Sequence, residues 1–148
     1  MALTGALALG AAGAVGACRE DAASPPTACF ERADVRATLA ATSPERRLPD
    51  GTAISRCVEL ATSDEFLQNL GLVMTDVAHD LSERAVGGDR AAADQLGYLV
   101  GAVSRGAQRS QGIQLELVRR LESDARRVQD EAAVRALVRG LRAGEQRG

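Results

Sequence analysis

One histidine, three cysteines and twenty acidic residues hold most of the reactive chemistry of this 148-residue chain. His79 stands near Asp76, Asp80 and Glu83, and at helical spacing Asp76, His79 and Glu83 share one face. A carboxylate three residues before a histidine occurs in helical di-iron sites, whose ligands point into a bundle core. At about 100° per residue, however, His79 lies almost opposite Val77 and Leu81, and the chain has no second histidine to complete a site. His79 therefore reads as a solvated residue in local contact with Glu83. Nucleophilic catalysis needs a nucleophile beside a base and an orienting group, and no such set is visible. Asp64 and Glu65 are explained by a helix N-terminus, where negative charge is stabilised. Gly87-Gly88 lacks the lysine and spacing of a phosphate-binding loop. Cys29 and Cys57 lack the CxxC spacing of a zinc site. No catalytic residue, metal or cofactor is expected, and the chain is read as non-enzymatic.

The elements that must position these groups are built from small aliphatic residues. The apolar fraction of 45% contains two Phe, one Tyr and no Trp, a composition that favours close-packed helices. All 18 basic residues are arginine, and the formal net charge of −2 argues against a nucleic-acid binder. The length is that of one domain.

Thr27 can cap a first helix over about 28–41, with Phe30, Ala33, Val35 and Leu39 as its apolar positions. Ser43-Pro44 and Pro49-Asp50-Gly51 break the chain before a short helix over about 52–61. Thr62-Ser63-Asp64-Glu65 has the form of a capping box with Thr62 at the cap. In the helix it opens, Phe66, Leu70, Val73, Met74, Val77 and Leu81 fall within an arc of about 100°. Gly87-Gly88 ends that helix and Asp89 caps the next, whose apolar side is Ala92, Leu96, Leu99, Val100, Val103 and Ala107. The two form an antiparallel hairpin. Ile113, Leu117, Leu121, Ala125 and Val128 make a further stripe, as do Val134, Leu137, Val138 and Leu141 after Asp130. Gly106 and Gly112 either break the chain or kink a continuous helix. The expectation is an all-α bundle of four or five helices over residues 27–143, followed by a tail at 144–148.

Met1 to Ala17 carries no charge and contains four glycines. It is shorter than the roughly 20 residues that span a bilayer and has the form of a secretory signal peptide, residues 1–17. Val15-Gly16-Ala17-Cys18 resembles the lipobox of bacterial lipoproteins, although the basic residues that usually open such signals are missing from Met1 to Thr4. The resemblance implies cleavage before Cys18, diacylglycerol on its thiol, and palmitate or a similar fatty acid on the new amino group. That would anchor the chain stably to a membrane. Residues 18–26, ending in Pro25-Pro26, then form the lipidated cysteine and a tether. Arg19, in place of the Asp that retains enteric lipoproteins at the inner membrane, implies an outer-membrane protein facing the periplasm. The alternative is an ordinary secretory signal and an exported chain without lipid.

With Cys18 consumed by lipid, Cys29 and Cys57 remain as a pair that an oxidising periplasm would join. The bond would close a loop of about 29 residues and contribute about 3.5 kcal/mol in the chain-entropy account. Without export, the two are buried thiols.

Ala93, Gly97 and Gly101 form a small-residue ridge at intervals of four, with Tyr98 beside it. Asp94, Gln95 and Arg105 rule this segment out as a membrane span. The ridge serves either tight packing within the bundle or docking of a protein partner in the envelope. Tyr98 projects away from the Leu96 to Val103 stripe, as a second buried face or as an exposed aromatic. Residues 109–148 hold nine Arg against six acidic residues, while 19–108 hold nine against fourteen. That basic excess reads mainly as a solvated helix face, with Glu116–Arg120 and Glu122–Arg126 as i, i+4 pairs. The function these residues point to is a lipid-anchored envelope interaction or scaffold module. The alternative is an exported bundle that binds a small ligand or a metal.

Overall fold

A computed structural model of the chain describes residues 23–108 and 112–148. The segment expected to be a signal peptide, residues 1–17, and Cys18 lie outside the described residues. A 3₁₀ turn at Thr27–Phe30 precedes six α-helices: α1 Arg32–Ala40, α2 Ile54–Leu60, α3 Asp64–Val86, α4 Arg90–Ala107, α5 Gln114–Ala125 and α6 Glu131–Arg147. The described residues are all-α, with six helices where the sequence suggested four or five. The only extended pairing among the described residues is an isolated bridge between Arg47 and Ala53.

The local signals explain most boundaries. Glu31 takes an extended conformation and separates the 3₁₀ turn from α1, which sequence periodicity runs together. The cap of α3 is Ser63, whose hydroxyl accepts from Phe66 N–H at 3.3 Å, and not Thr62. The helix starts at Asp64, which brings Ser63 and not Thr62 within reach of the free amides. Gly112 sits at φ +104°, and α4 and α5 are separate helices. Gly106, the other suspected break, lies inside α4. A Cβ there would come 2.7 Å from Val58 of α2, so glycine is what lets α2 approach.

Helix α4 is the centre of the bundle, with α2, α3, α5 and α6 all packed on it. Its burial runs almost all round, from Ala92 and Ala93 through Leu96, Leu99 and Val103 to Ala107. A helix apolar on every side needs neighbours on every side. The core around it is drawn from Val35 and Leu39 of α1, Ile54 and Val58 of α2, Leu70, Met74, Val77 and Leu81 of α3, and Leu117 and Leu121 of α5.

Helix α6 departs furthest from expectation. The residues it buries are Ala133, Ala136, Gly140 and Gly144, while Val134 and Val138 are exposed. The bulky stripe Val134, Leu137, Val138, Leu141 is thus not the buried face. The smallest residues face α4 because only they permit backbone contact, and the larger ones flank that seam or face solvent. The helix also continues through residues 144–147, beyond the domain end expected at 143.

Asp89 caps α4 by accepting from Ala91 N–H at 2.9 Å and Ala92 N–H at 3.0 Å. The Ala92 amide first, then the Arg84 guanidinium, hold its carboxyl below the usual carboxylate range. A depressed value stabilises the fold above the unfolded-state pKa and is lost as pH falls through the folded-state value. Asp89→Ala should therefore cost about 1 kcal/mol near neutrality. Urea titrations of both proteins should converge as pH drops below about 4.

Candidate functional site

The ridge on α4 is occupied from within the chain. Beneath Gly97 and Gly101 lie the backbone of Leu137 and that of Leu141, and beneath Gly140 and Gly144 lie those of Asp94 and Tyr98. A Cβ on Gly97 would stand 2.8 Å from the Leu137 carbonyl carbon, and one on Gly140 would stand 2.8 Å from that of Asp94. Both would be closer still to the carbonyl oxygens. Ala93 is fully buried beside them. The two helices interlock by matched small residues, each four apart, with no side chain between them. The far end of α6 is tied down as well: Arg105 donates to the Gln146 carbonyl and the Ser55 hydroxyl donates to the Gly148 carbonyl.

Tyr98 is 1% exposed, and the Arg46 guanidinium lies over its ring with Cζ 4.4 Å from the centroid. Arg46 Nη2 donates to Asp94 Oδ2 at 2.6 Å, so the loop between α1 and α2 is strapped across α4 by one ion pair and one cation–π contact. The Tyr98 hydroxyl and Arg46 Nη1 are buried without a hydrogen-bond partner among the described residues, and neither residue lines the α3–α5 groove described below. The hydroxyl thus carries a desolvation penalty with no hydrogen bond against it. Tyr98→Phe should be neutral or should stabilise the fold by up to about 1 kcal/mol, measured by urea unfolding. A loss of similar size would mean that the hydroxyl is satisfied.

Cys29 and Cys57 are disulfide-bonded, with Cα atoms 5.7 Å apart, and join the 3₁₀ turn to α2. His79 is exposed, and its Nδ1 lies 3.7 Å from Asp124. Its partner is thus Asp124 on α5 and not Glu83, which Arg127 takes instead. Asp76 and Asp80 pair with Arg32 and Arg36 of α1. With these carboxylates engaged by arginines, no group of three or more His, Cys, Asp or Glu among the described residues could hold a metal ion. Glu116–Arg120 and Glu122–Arg126 form the expected pairs, each at 3.2 Å.

An open concavity lies between the first half of α3 and the first half of α5. It is a groove of about 550 Å³ lined by Leu67, Gly71, Leu72, Ile113 and Leu117, with Asp64, Gln68, Thr75, Glu116 and Arg120 at its edges. Leu72 is 70% exposed and Ile113 62%, the largest apolar exposures among the described residues. The two helices run in the same direction. Their far halves are joined where the Ser82 hydroxyl donates to the Asp124 carbonyl at 2.8 Å and Arg127 pairs with Glu83. Sequence periodicity assigned Ile113 to a core stripe and gave Leu72 no role. No single helix could reveal the groove, because it exists only where two of them meet.

Comparison of the chain with protein-family models, curated proteins and solved structures finds no match in any of the three. Among the described residues, no helix is long and apolar enough to cross a membrane.

Proposed function

We propose that this protein is a lipid-anchored module of the bacterial cell envelope that works by non-covalent binding and not by catalysis. Lipid on Cys18 holds it at the outer membrane, residues 19–26 form the tether, and the helical domain stands in the periplasm. The observation that carries the reading is the division of labour among three cysteines: Val15-Gly16-Ala17-Cys18 has the lipobox pattern, and the other two form a buried cross-link. Such a bond persists in oxidising compartments and is rare where glutathione keeps thiols reduced. The binding half of the reading is supported by the apolar groove between α3 and α5, the kind of surface that marks an interaction site.

The test is mass spectrometry of the N-terminal peptide from the native host. The expected peptide begins at Cys18 and carries fatty-acid mass, and Cys18→Ser should shift the protein from the membrane fraction to the periplasmic extract. A peptide that begins at Met1, or an unmodified Cys18 thiol, overturns the anchor.

A further inference from the structure

We infer that the domain lies against the membrane that carries its anchor, with the groove between α3 and α5 facing the lipid and Leu72, Ile113 and Leu115 in the bilayer interface. The inference rests on the anchored reading proposed above and names what covers the groove.

Three contacts bring the start of the described chain to the open end of the groove. The Cys29–Cys57 bond holds the 3₁₀ turn on α2, and Phe30 stacks at 5.8 Å on Phe66 in the first turn of α3. Phe66 adjoins Leu67, which lines the groove. Gln114 Nε2 donates to the Ala61 carbonyl at 3.3 Å and so sets the first turn of α5 at the junction of α2 and α3. The 3₁₀ turn and the starts of α3 and α5 thus share one end of the bundle.

Chain length ties that end to the bilayer. Pro25 is buried, so the chain is held on the domain from there, and 25 − 18 = 7 residue steps separate it from Cys18. Fully extended, seven steps span at most about 25 Å. The exposed apolar side chains gather at the same end: Leu72, 70% exposed, lies in the first half of α3, and Ile113 at 62% and Leu115 at 48% open α5. The other large apolar residues exposed among those described are scattered. Val134 and Val138 lie on α6 at 37% each, and Val86, 50% exposed, ends α3. Val86 stands 86 − 64 = 22 steps beyond Asp64, about 33 Å at the helical rise.

Charge and shape fit lipid. Of the charged groups at the groove's edges, Glu116 and Arg120 pair with each other at 3.2 Å, which leaves Asp64 as the one charge there without an ion pair among the described residues. An edge so nearly neutral suits a zwitterionic bilayer and not a strongly anionic one. Acyl chains are fluid and follow a concave apolar surface, whereas a folded partner must present a matching ridge. The tether also lowers what the contact has to supply, because an anchored domain has already given up most of its translational freedom. A few apolar side chains are then enough to orient it.

The chain contains no Trp, so a single introduced one is a specific reporter of depth. Leu72→Trp, Ile113→Trp and Leu115→Trp, with Val86→Trp as the reference, are made in the full lipidated chain and reconstituted into phosphatidylcholine vesicles with brominated or ordinary acyl chains. A docked apolar face sits roughly 5–10 Å into the boundary between headgroups and acyl chains, so brominated lipid should quench the first three about twofold and their emission should shift to the blue. Val86→Trp should be unaffected. Flotation of the same samples reads the anchor separately. Chains that float but show no quenching at 72, 113 and 115, or show equal quenching at 86, overturn the docking and leave the anchor standing. A second copy or another protein seated in the groove would give the unquenched result. Chains that fail to float overturn the anchor and the docking together. All four positions are exposed, and circular dichroism should show an unchanged fold. If one of the first three substitutions unfolds the chain, the other two carry the test.

Discussion

Gly97→Ala and Gly140→Ala should each destabilise the fold by about 3 kcal/mol or more, the upper part of the range for overpacked cores, and lower Tm by about 10 °C or more. The sign runs against helix propensity, which favours alanine over glycine by about 1 kcal/mol inside a helix. Space decides it. The new methyl would lie within 3 Å of backbone on the facing helix, at Leu137 for position 97 and at Asp94 for position 140. A side chain could swing aside, but a carbonyl held in a helical ladder moves only with its helix. Helix α6 would have to lift from α4, pulling its last turn away from Arg105 and Ser55. Gly71→Ala provides the control. No atom lies within 4 Å of its new methyl, so in dilute protein it should gain up to about 1 kcal/mol from the same propensity term. Thermal melts of the three variants by circular dichroism test the contrast. Equal shifts at positions 71 and 97 would mean that the helices are not in backbone contact.

The same contrast shows why some of this fold is legible in the sequence and some is not. The buried side of α3 could be read directly, since Leu70, Met74, Val77 and Leu81 stand out from a polar background at helical spacing. The α4 cap was equally open to reading, because Asp89 follows two glycines and precedes an apolar run. The face of α6 misled, because hydropathy scores side chains and glycine has none. Val134 and Val138 dominate the pattern, while Gly140 and Gly144 do the packing. A signal was nonetheless present: Gly140 and Gly144 repeat the four-residue interval of Gly97 and Gly101, and two such ridges in one chain fit each other. The burial of Tyr98 depends on Arg46, more than fifty positions earlier in a loop whose path local sequence does not set. The groove is a property of two helices at once, so neither Leu72 nor Ile113 announces it alone.

Loss of the Cys29–Cys57 bond should cost about 3.5 kcal/mol through the restored freedom of the unfolded chain, and lower Tm on the order of 10 °C. The paired substitution Cys29→Ala with Cys57→Ala measures this without leaving a free thiol. The loop between the two cysteines contains α1 and the Arg46 strap over Tyr98, and besides the burial of Val35, Leu39 and Leu48 it is held by modest contacts. These include the Phe30–Phe66 stack at 5.8 Å and the exposed ion pairs from Arg32 and Arg36 to α3, and exposed pairs of that kind contribute little. The cross-link therefore acts together with that burial in holding this end of the chain. Both sulfur-bearing residues are fully buried, so a reductant can reach them only after the segment opens. Wild-type protein in dithiothreitol should accordingly lose its bond slowly in the cold and quickly near its melting temperature, and the reduced form should melt where the double alanine variant melts. A reduced protein that keeps the oxidised Tm would show that the helices hold this segment unaided, and the stability assigned to the bond would have to come from the packing of α1 and α2 on α4.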